Sequence, residues 1–278
     1  MRYREFLRKK IGDRFPESIP VPSGFQIVGH VALLQLHEGL GEFAQLIAEA
    51  TMEFDHRIRS VAVKTDPTTG IIRKPGYRLV AGDSNTVTEH VEGGVLFRLD
   101  PLRLTFSAGN VAERMRLSNI IEREEVILDM FACVGQFSLH IAKKTRSRVV
   151  AIEINPEAHR FLVENIKLNG VEDRMQALLG DCRKMHPVNE ANRVILGYLH
   201  NTIEYLPYAL KSLKEDGGYV YLHAALPKRD IPNISNTINT IAMEQGFDAE
   251  FSVREVKHYS PGIEHYVFDI HATPIRTC

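Results

Sequence analysis

Tryptophan is absent from the 278 residues, and cysteine occurs only three times, at Cys133, Cys182 and Cys278. No two cysteines stand in C-x-x-C spacing, which argues against a disulfide framework and against a zinc site, so no metal is expected. No apolar run approaches the roughly 20 residues needed to span a bilayer. The opening stretch MRYREFLRKKIGDRF is basic but has no apolar h-region, so it does not read as a secretory signal. A reducing cytoplasm is the expected location. Net charge is nearly absent as well: 34 Lys and Arg against 35 Asp and Glu leave −1 overall, so no global field announces a polyanionic partner. Internal repeats and low-complexity segments are also missing.

What is present is an ordinary globular composition, 44% hydrophobic and 25% charged, in a chain long enough for one large α/β domain or for one with a smaller companion. The charge is unevenly spread. Arg2, Arg4, Arg8, Lys9 and Lys10 stand against Glu5 alone, and Arg57, Arg59, Lys64, Arg73, Lys74 and Arg78 against Asp66 alone. Such segments can neutralise phosphates, although a solvated face accounts for the charge equally well.

The first hundred residues mix elements in an α+β manner. Residues 25–36 (FQIVGHVALLQL) have the alternation of a strand, 42–54 read as a helix, and 60–64 as a strand; glycines at 70, 76, 82, 93 and 94 cut the rest into short strands. From about residue 101 the rhythm changes. Strands are expected at 126–129, 148–154, 175–179 and 194–198, alternating with helices at 136–144 and 156–168 and one running to 214; a strand at 219–226, a helix at 234–245 and two final strands, EFSVREVKHY and HYVFDIHA, follow. Alternation of this kind predicts a parallel sheet covered by helices on both faces. Two closing strands with no helix between them add an antiparallel finish, as in a Rossmann-like seven-stranded class I methyltransferase sheet. The expected fold is therefore α/β, with an N-terminal α+β domain (1–99) before a catalytic domain (100–278).

The chemistry concentrates in VILDMFACVGQFSLHIAKK. Asp129 ends a buried strand, a tight loop follows, then a helix, and ligands of open α/β sheets sit off such strand ends. The loop is not G-x-G-x-x-G: Gly135 alone remains, so a pyrophosphate is poorly supported and a nicotinamide dehydrogenase disfavoured. S-adenosylmethionine, which has no diphosphate, suits it better: Asp129 would serve the methionyl ammonium or the loop's geometry, and Gly135 would permit close approach. The next strand ends at Glu153, placed to accept from ribose hydroxyls, followed by Asn155 and a Pro156 at the helix start. The third ends at Asp181, suited to the adenine amino group. Any one acid is explicable as a strand-end charge; three on successive strands point to a nucleoside cofactor.

Asp129-Met-Phe131-Ala-Cys133-Val-Gly135-Gln-Phe-Ser, Glu153-Ile-Asn155-Pro and Gly-Asp181-Cys182 resemble the tRNA family containing the guanine-37 N1-methyltransferases and the wybutosine-pathway aminocarboxypropyltransferases. Phe106-Ser107 followed by Glu113-Arg114 and Arg116, and the later run from His258 through Tyr259 to Ile270, resemble further motifs of that family, so the likeness spans about 95–270. It implies cofactor contacts from Ser107, Arg114, Phe131, Glu153, Asp181, Cys182 and Gly197. It implies a tRNA partner, met at the anticodon region around position 37, and an RNA-facing role for the basic N-terminal region, with Arg8, Lys9, Arg57, Arg73, Lys74, Tyr198 and Tyr259 as candidate contacts. Read locally, Ser107 is also a plausible helix cap, Arg114 a surface charge, and Cys133 and Cys182 small fillers; Cys133 stands where relatives often have glycine.

The transferred group is read from a departure. Enzymes methylating base amines carry N-P-P-Y or a related Asn-x-Pro after the fourth strand, where a carbonyl and an amide hold the amine lone pair toward the electrophile. Here that stretch is RVILGYLHNT, with Gly197 and Tyr198 at the positions in question. Its G-Y-x-x-x-T resembles the archaeal-type aminocarboxypropyltransferases, which implies transfer of the 3-amino-3-carboxypropyl group with release of methylthioadenosine. No catalytic acid or base stands out. The competing readings are a guanine-37 N1-methyltransferase and a non-catalytic RNA-binding module with a vestigial cofactor fold.

Overall fold

The computed structural model describes residues 1–14, 19–121 and 124–275. Cys278 and the end of the C-terminal tail lie outside them. The chain divides into two compact units, Met1–Ala108 and Gly109–Cys278.

In the first unit, α1 (Tyr3–Ile11) and α2 (Ala44–Phe54) accompany a four-stranded sheet of β1 (Gln26–Val28), β2 (Val31–Leu34), β3 (Ser60–Thr69) and β4 (Lys74–Gly82), paired in that order. The β2–β3 pair is parallel, the other two antiparallel. Helix α1 turns Tyr3, Leu7 and Ile11 inward at helical spacing and leaves Arg4, Arg8, Lys9 and Lys10 exposed. The Tyr3 ring packs edge-on against Phe25 and Phe54, and its hydroxyl shares a 2.7 Å hydrogen bond with Thr51. A hairpin of β5 (Thr88–Glu92) and β6 (Val95–Leu99) closes this unit.

The single strand expected over 25–36 is two strands. Val28 pairs with Val31 across a two-residue turn. Gly29 is left-handed there (φ +56°), and a Cβ on it would lie 1.9 Å from Thr88 Oγ1. Apolar residues alternate straight through the turn, so periodicity hides it.

The second unit runs α3 (Val111–Ile120), β7 (Val126–Asp129), α4 (Ser138–Lys144), β8 (Arg148–Glu153), α5 (Pro156–Leu168), β9 (Met175–Leu179), α6 (Cys182–Met185), β10 (Arg193–Leu199), α7 (Leu206–Ser212), β11 (Gly218–Leu226), α8 (Ile231–Glu244), β12 (Phe247–Ser260) and β13 (Ile263–Pro274). Its seven-stranded sheet has the order β12-β13-β11-β10-β7-β8-β9. Neighbours from β11 to β9 are parallel, and β13 is antiparallel to β11 on one side and β12 on the other. This is the expected class I methyltransferase arrangement. Residues such as Leu128, Val150, Val194, Leu196, Val220, Leu222 and Phe268 fill the core between sheet and helices, the near-continuous apolar runs that a sheet covered on both faces requires. Strand order reverses between β7 and β10, so the crevice for a ligand lies at their carboxyl ends. Among the described residues no helix is long and apolar enough to cross a membrane.

Candidate active site

The loop leaving β7 is held from within. Asp129 is fully buried; its Oδ1 accepts the Phe131 N–H at 3.2 Å, while Oδ2 has no hydrogen-bond partner. Burial pushes this carboxyl up to about 6, against the pull of the Phe131 amide. Cys133 adopts φ +50°, the left-handed region that favours the glycine expected there. Its amide donates to Glu153 Oε2 at 2.7 Å, and Asn155 N–H donates to Glu153 Oε1 at 2.7 Å. Glu153 thus ties the β8 exit to the β7 loop with one bond from each oxygen, leaving lone pairs for a diol. Burial, despite those amides, raises its carboxyl above the ordinary value. Asn155 caps α5 by accepting from Glu157 N–H at 3.0 Å.

Gly135 also has a packing role. At φ +95° its Cβ position is occupied by Leu139 and Leu162, with Leu139 Cδ1 2.6 Å away. The glycine is required by the packing of the loop onto α4 and α5. Gly197 faces Phe137 at an ordinary 3.5 Å, so closeness does not demand a glycine there.

Asp181 is also more occupied than its place suggested. It caps the short α6 by accepting Arg183 N–H at 3.0 Å, and the Arg183 guanidinium holds both carboxylate oxygens at 2.6–3.0 Å. That partner keeps the carboxyl below its usual range. Any ligand donor reaching this carboxylate would have to share it with Arg183. The Arg183 guanidinium also sits 5.6 Å from the Tyr205 ring centre. The Cys182 side chain is buried and Cys133 half-buried, and desolvation pushes both thiols up to about 12, so neither is a thiolate nucleophile.

An aromatic group forms where β7 and β10 end. Phe131 stacks on Tyr198 (ring centres 5.1 Å, planes 15° apart), and Tyr205 meets Phe131 edge-on at 4.9 Å. Strand β10 is irregular here: its register against β11 slips between Leu196 and Leu199, and Leu199 (φ +74°) and Asn201 (φ +50°) are left-handed. A branched residue in that region costs on the order of 1 kcal/mol, and such strain and bulges concentrate at functional sites. Thr202, buried just beyond, has an unpartnered hydroxyl.

On the α3 side, Arg114 is fully buried and donates to Gln136 Oε1 at 3.2 Å. Burial and the charge of Arg114 lower the Lys257 ammonium. Glu113 and Asp269 each accept from Arg116 and Arg254, at 2.7–3.4 Å, which fixes α3 to β12 and β13. Behind Phe137, His223 Nδ1 lies 2.9 Å from His265 Nε2; burial pushes these imidazoles down to about 4 and about 3, so both are neutral.

Ser107 belongs to the first unit, after β6. There the RNA candidates Arg8 and Lys9 are exposed on α1, and Arg73 and Lys74 sit at the β3–β4 turn with Ile71 and Ile72 exposed beside them. Arg57 is exposed but bound side-on by Asp55 at 2.6–3.2 Å, so much of its charge is neutralised. Tyr259 is 38% exposed near the tip of the β12–β13 hairpin and shares a 3.0 Å hydrogen bond with His200. Sequence reasoning passed over Arg183, Tyr205, Gln136 and His200: Gln136 and His200 stand within quoted motifs but meet Arg114 and Tyr259 only in the folded chain, and Arg183 reads from the sequence as a plain surface charge beside Asp181. Among the described residues no cluster of His, Cys, Asp and Glu is arranged to hold a metal ion.

Residues 88–250 match a family described as the TRM5/TYW2 methyltransferase domain, and residues 3–86 match the TYW2 N-terminal domain. The tRNA(Phe) (4-demethylwyosine(37)-C(7)) aminocarboxypropyltransferase of Pyrococcus horikoshii is 38% identical over 275 residues, covering 97% of this chain and 95% of that protein. The solved structure of P. horikoshii TYW2 in complex with MeSAdo superposes with a TM-score of 0.84 at 35% identity, covering 97% of this chain and 99% of that one. A complex of aTrm5 with tRNALeu gives a TM-score of 0.84 at 26% identity, covering 98% of this chain and 78% of that one.

Proposed function

Since the chain belongs to the TRM5/TYW2 methyltransferase-domain family, we propose that it transfers the 3-amino-3-carboxypropyl group of S-adenosylmethionine to C7 of 4-demethylwyosine at position 37 of tRNA-Phe, releasing methylthioadenosine. The enzyme is a tRNA-modifying transferase of wybutosine synthesis that takes its alkyl group from S-adenosylmethionine. The bound sulfonium supplies an electrophilic carbon and a neutral leaving sulfide. The chain supplies position. Asp129, Glu153 and the left-handed Cys133 set the loop on which adenosine rests, and the orphaned, buried Asp129 Oδ2 suits a site completed by a cation. Arg114 and Lys257 provide positive charge for the carboxylate of the methionyl chain. Which of three sulfonium carbons reacts is a matter of alignment.

The observation that carries the choice of group is the exit of β10. Gly197 and Tyr198 stand where an amine-methylating enzyme holds its nucleophile, and the bulge, the left-handed Leu199 and the Phe131–Tyr198 stack present an aromatic face in its place. A flat tricyclic base attacking through carbon needs stacking, not an acceptor for an N–H. The N-terminal unit, with Arg8, Lys9, Arg73 and Lys74, would meet the tRNA near its anticodon, in the cytoplasm. Turnover with tRNA bearing the tricyclic base is expected to yield methylthioadenosine. S-adenosylhomocysteine as the sulfur product would replace this reading with guanine-37 N1-methylation.

A further inference from the structure

The clasp between Asp181 and Arg183 is, by itself, a local device. In the other unit Asp55 holds Arg57 in the same way: the Arg57 amide donates to Oδ1 at 3.1 Å and the guanidinium spans both oxygens at 2.6–3.2 Å. At Asp181 the corresponding distances are 3.0 Å and 2.6–3.0 Å. With 48% of the Arg183 side chain exposed, such a pair adds little stability. What distinguishes Arg183 is where the clasp aims it.

Its guanidinium carbon lies over the Tyr205 ring, 5.6 Å from the ring centre. Tyr205 ends the short turn Thr202–Tyr205 that follows β10. Its ring meets Phe131 edge-on at 4.9 Å and Tyr198 edge-on at 6.1 Å, and Phe131 and Tyr198 are stacked on each other. Contacts therefore run unbroken from the carboxylate beyond β9, through one guanidinium and one ring, to the aromatic face at the ends of β7 and β10. With both oxygens of Asp181 on it, the guanidinium is largely neutralised and is a poor partner for a phosphate. Its planar, delocalised face keeps its attraction for a ring.

We propose that Arg183 is a positioning residue for the acceptor base: fixed by Asp181, it braces Tyr205, and through Tyr205 it holds the Phe131–Tyr198 stack at the angle that receives the tricyclic ring. The inference rests on the transfer reading above and on that stack as the acceptor face. A brace differs from a ligand contact in one checkable respect. Removing Arg183 loosens the face for the base, yet it leaves Asp181 without a rival for any donor on the cofactor, so S-adenosylmethionine is bound no more weakly.

The test is a double-mutant cycle on the full chain, with S-adenosylmethionine and with tRNA-Phe that carries or lacks the tricyclic base. Arg183→Met keeps the length of the side chain and removes the guanidinium; Tyr205→Leu removes the ring; Tyr205→Phe keeps it. In Arg183→Met, kcat/KM for tRNA bearing the base is expected to fall about 5-fold, the size of one partly exposed cation–ring contact. The calorimetric Kd for S-adenosylmethionine should not rise. Tyr205→Leu should lose at least as much, and adding Arg183→Met to it should cost nothing more, because the brace has no ring left to hold. In the Tyr205→Phe background the Arg183→Met loss should persist. Binding of tRNA that lacks the base should be the same with and without Arg183. Additive losses in the cycle overturn the assignment, and so does a Kd for S-adenosylmethionine that rises in Arg183→Met, which would make Arg183 part of the adenosine site. An equal loss for tRNA lacking the base, with a shallower salt slope, overturns it as well and makes Arg183 a phosphate contact. Any of these results from a protein that releases methylthioadenosine sinks this inference alone; S-adenosylhomocysteine from the wild type sinks the transfer reading beneath it.

Discussion

Replacing Asp129 with asparagine separates what this carboxylate costs the protein from what it provides to the ligand. Its value of about 6 against 3.8 in the unfolded chain is a difference of about 2, which corresponds to about 3 kcal/mol at roughly 1.36 kcal/mol per tenfold change in proton affinity. The sign follows from proton counts. Between pH 3.8 and about 6 the folded state holds a proton that the unfolded state has lost, so stability falls as pH rises through that window and the whole cost is present above about 6. The Asp129→Asn variant keeps an oxygen for the Phe131 amide and removes the charge. Its new N–H₂ donors cost roughly 1–3 kcal/mol if unsatisfied, but equally at every pH. The stability of the variant relative to the wild type should therefore improve by up to about 3 kcal/mol between about pH 4 and about pH 7.5, a relative Tm gain of several degrees. The His223–His265 pair titrates in both proteins and cancels from that difference. Thermal unfolding of both proteins without cofactor, across this range, measures it. Calorimetry at about pH 7.5 should meanwhile show that the variant binds S-adenosylmethionine more weakly. Wild-type affinity should decline as pH drops below about 6 while the variant's stays level. A stability difference that is flat with pH would refute the account of Asp129 as a carboxylate whose desolvation outweighs its hydrogen bonding.

Other consequences are more direct. Gly217→Ala places a Cβ 2.1 Å from the Ala272 carbonyl oxygen at φ +90°; a loss of at least about 2 kcal/mol should lower Tm by several degrees. Cys133 and Cys182, with thiols pushed up to about 12, should resist Ellman's reagent at mildly alkaline pH in the native protein and react on denaturation; rapid native labelling of either, located by mass spectrometry, would contradict their burial. Replacing Arg73 and Lys74 together by alanine should weaken tRNA binding and flatten its dependence on log salt concentration by about 1 for each phosphate no longer neutralised. An unchanged slope removes the β3–β4 turn from the RNA surface.

The second unit was legible because its signals are local. A strand ending in Asp129, a helix opening at Asn155-Pro156 and paired closing strands each announce themselves within a short stretch of chain, and α5 spans the residues that periodicity assigned. Two things escaped. The Gly29–His30 turn was hidden because the apolar alternation does not pause there, and the left-handed conformation comes from a close approach to Thr88, far along the chain. The site's wiring was hidden because it is made of distant pairs: Glu153 to Cys133, Glu113 to Arg254, His200 to Tyr259. The three acids were legible as strand ends; that Glu153 serves backbone amides and that Asp181 is clasped by Arg183 depends on geometry no spacing encodes.

The position of β13 between β11 and β12 bears on how the molecule is made. Among the described residues, strand β12 has no partner in the sheet except β13, so it cannot join the growing edge before β13 does. During synthesis, everything up to β11 can gather while β12 waits for the whole of β13 to emerge and thread in beside it. Arg254, Lys257 and Tyr259 arrive only with that final insertion. Pairings of this range are slow to form, so a chain stalled or cut before β13 would have its nucleoside loop in place and its acceptor side unbuilt, able to hold a cofactor without an edge against which to use it.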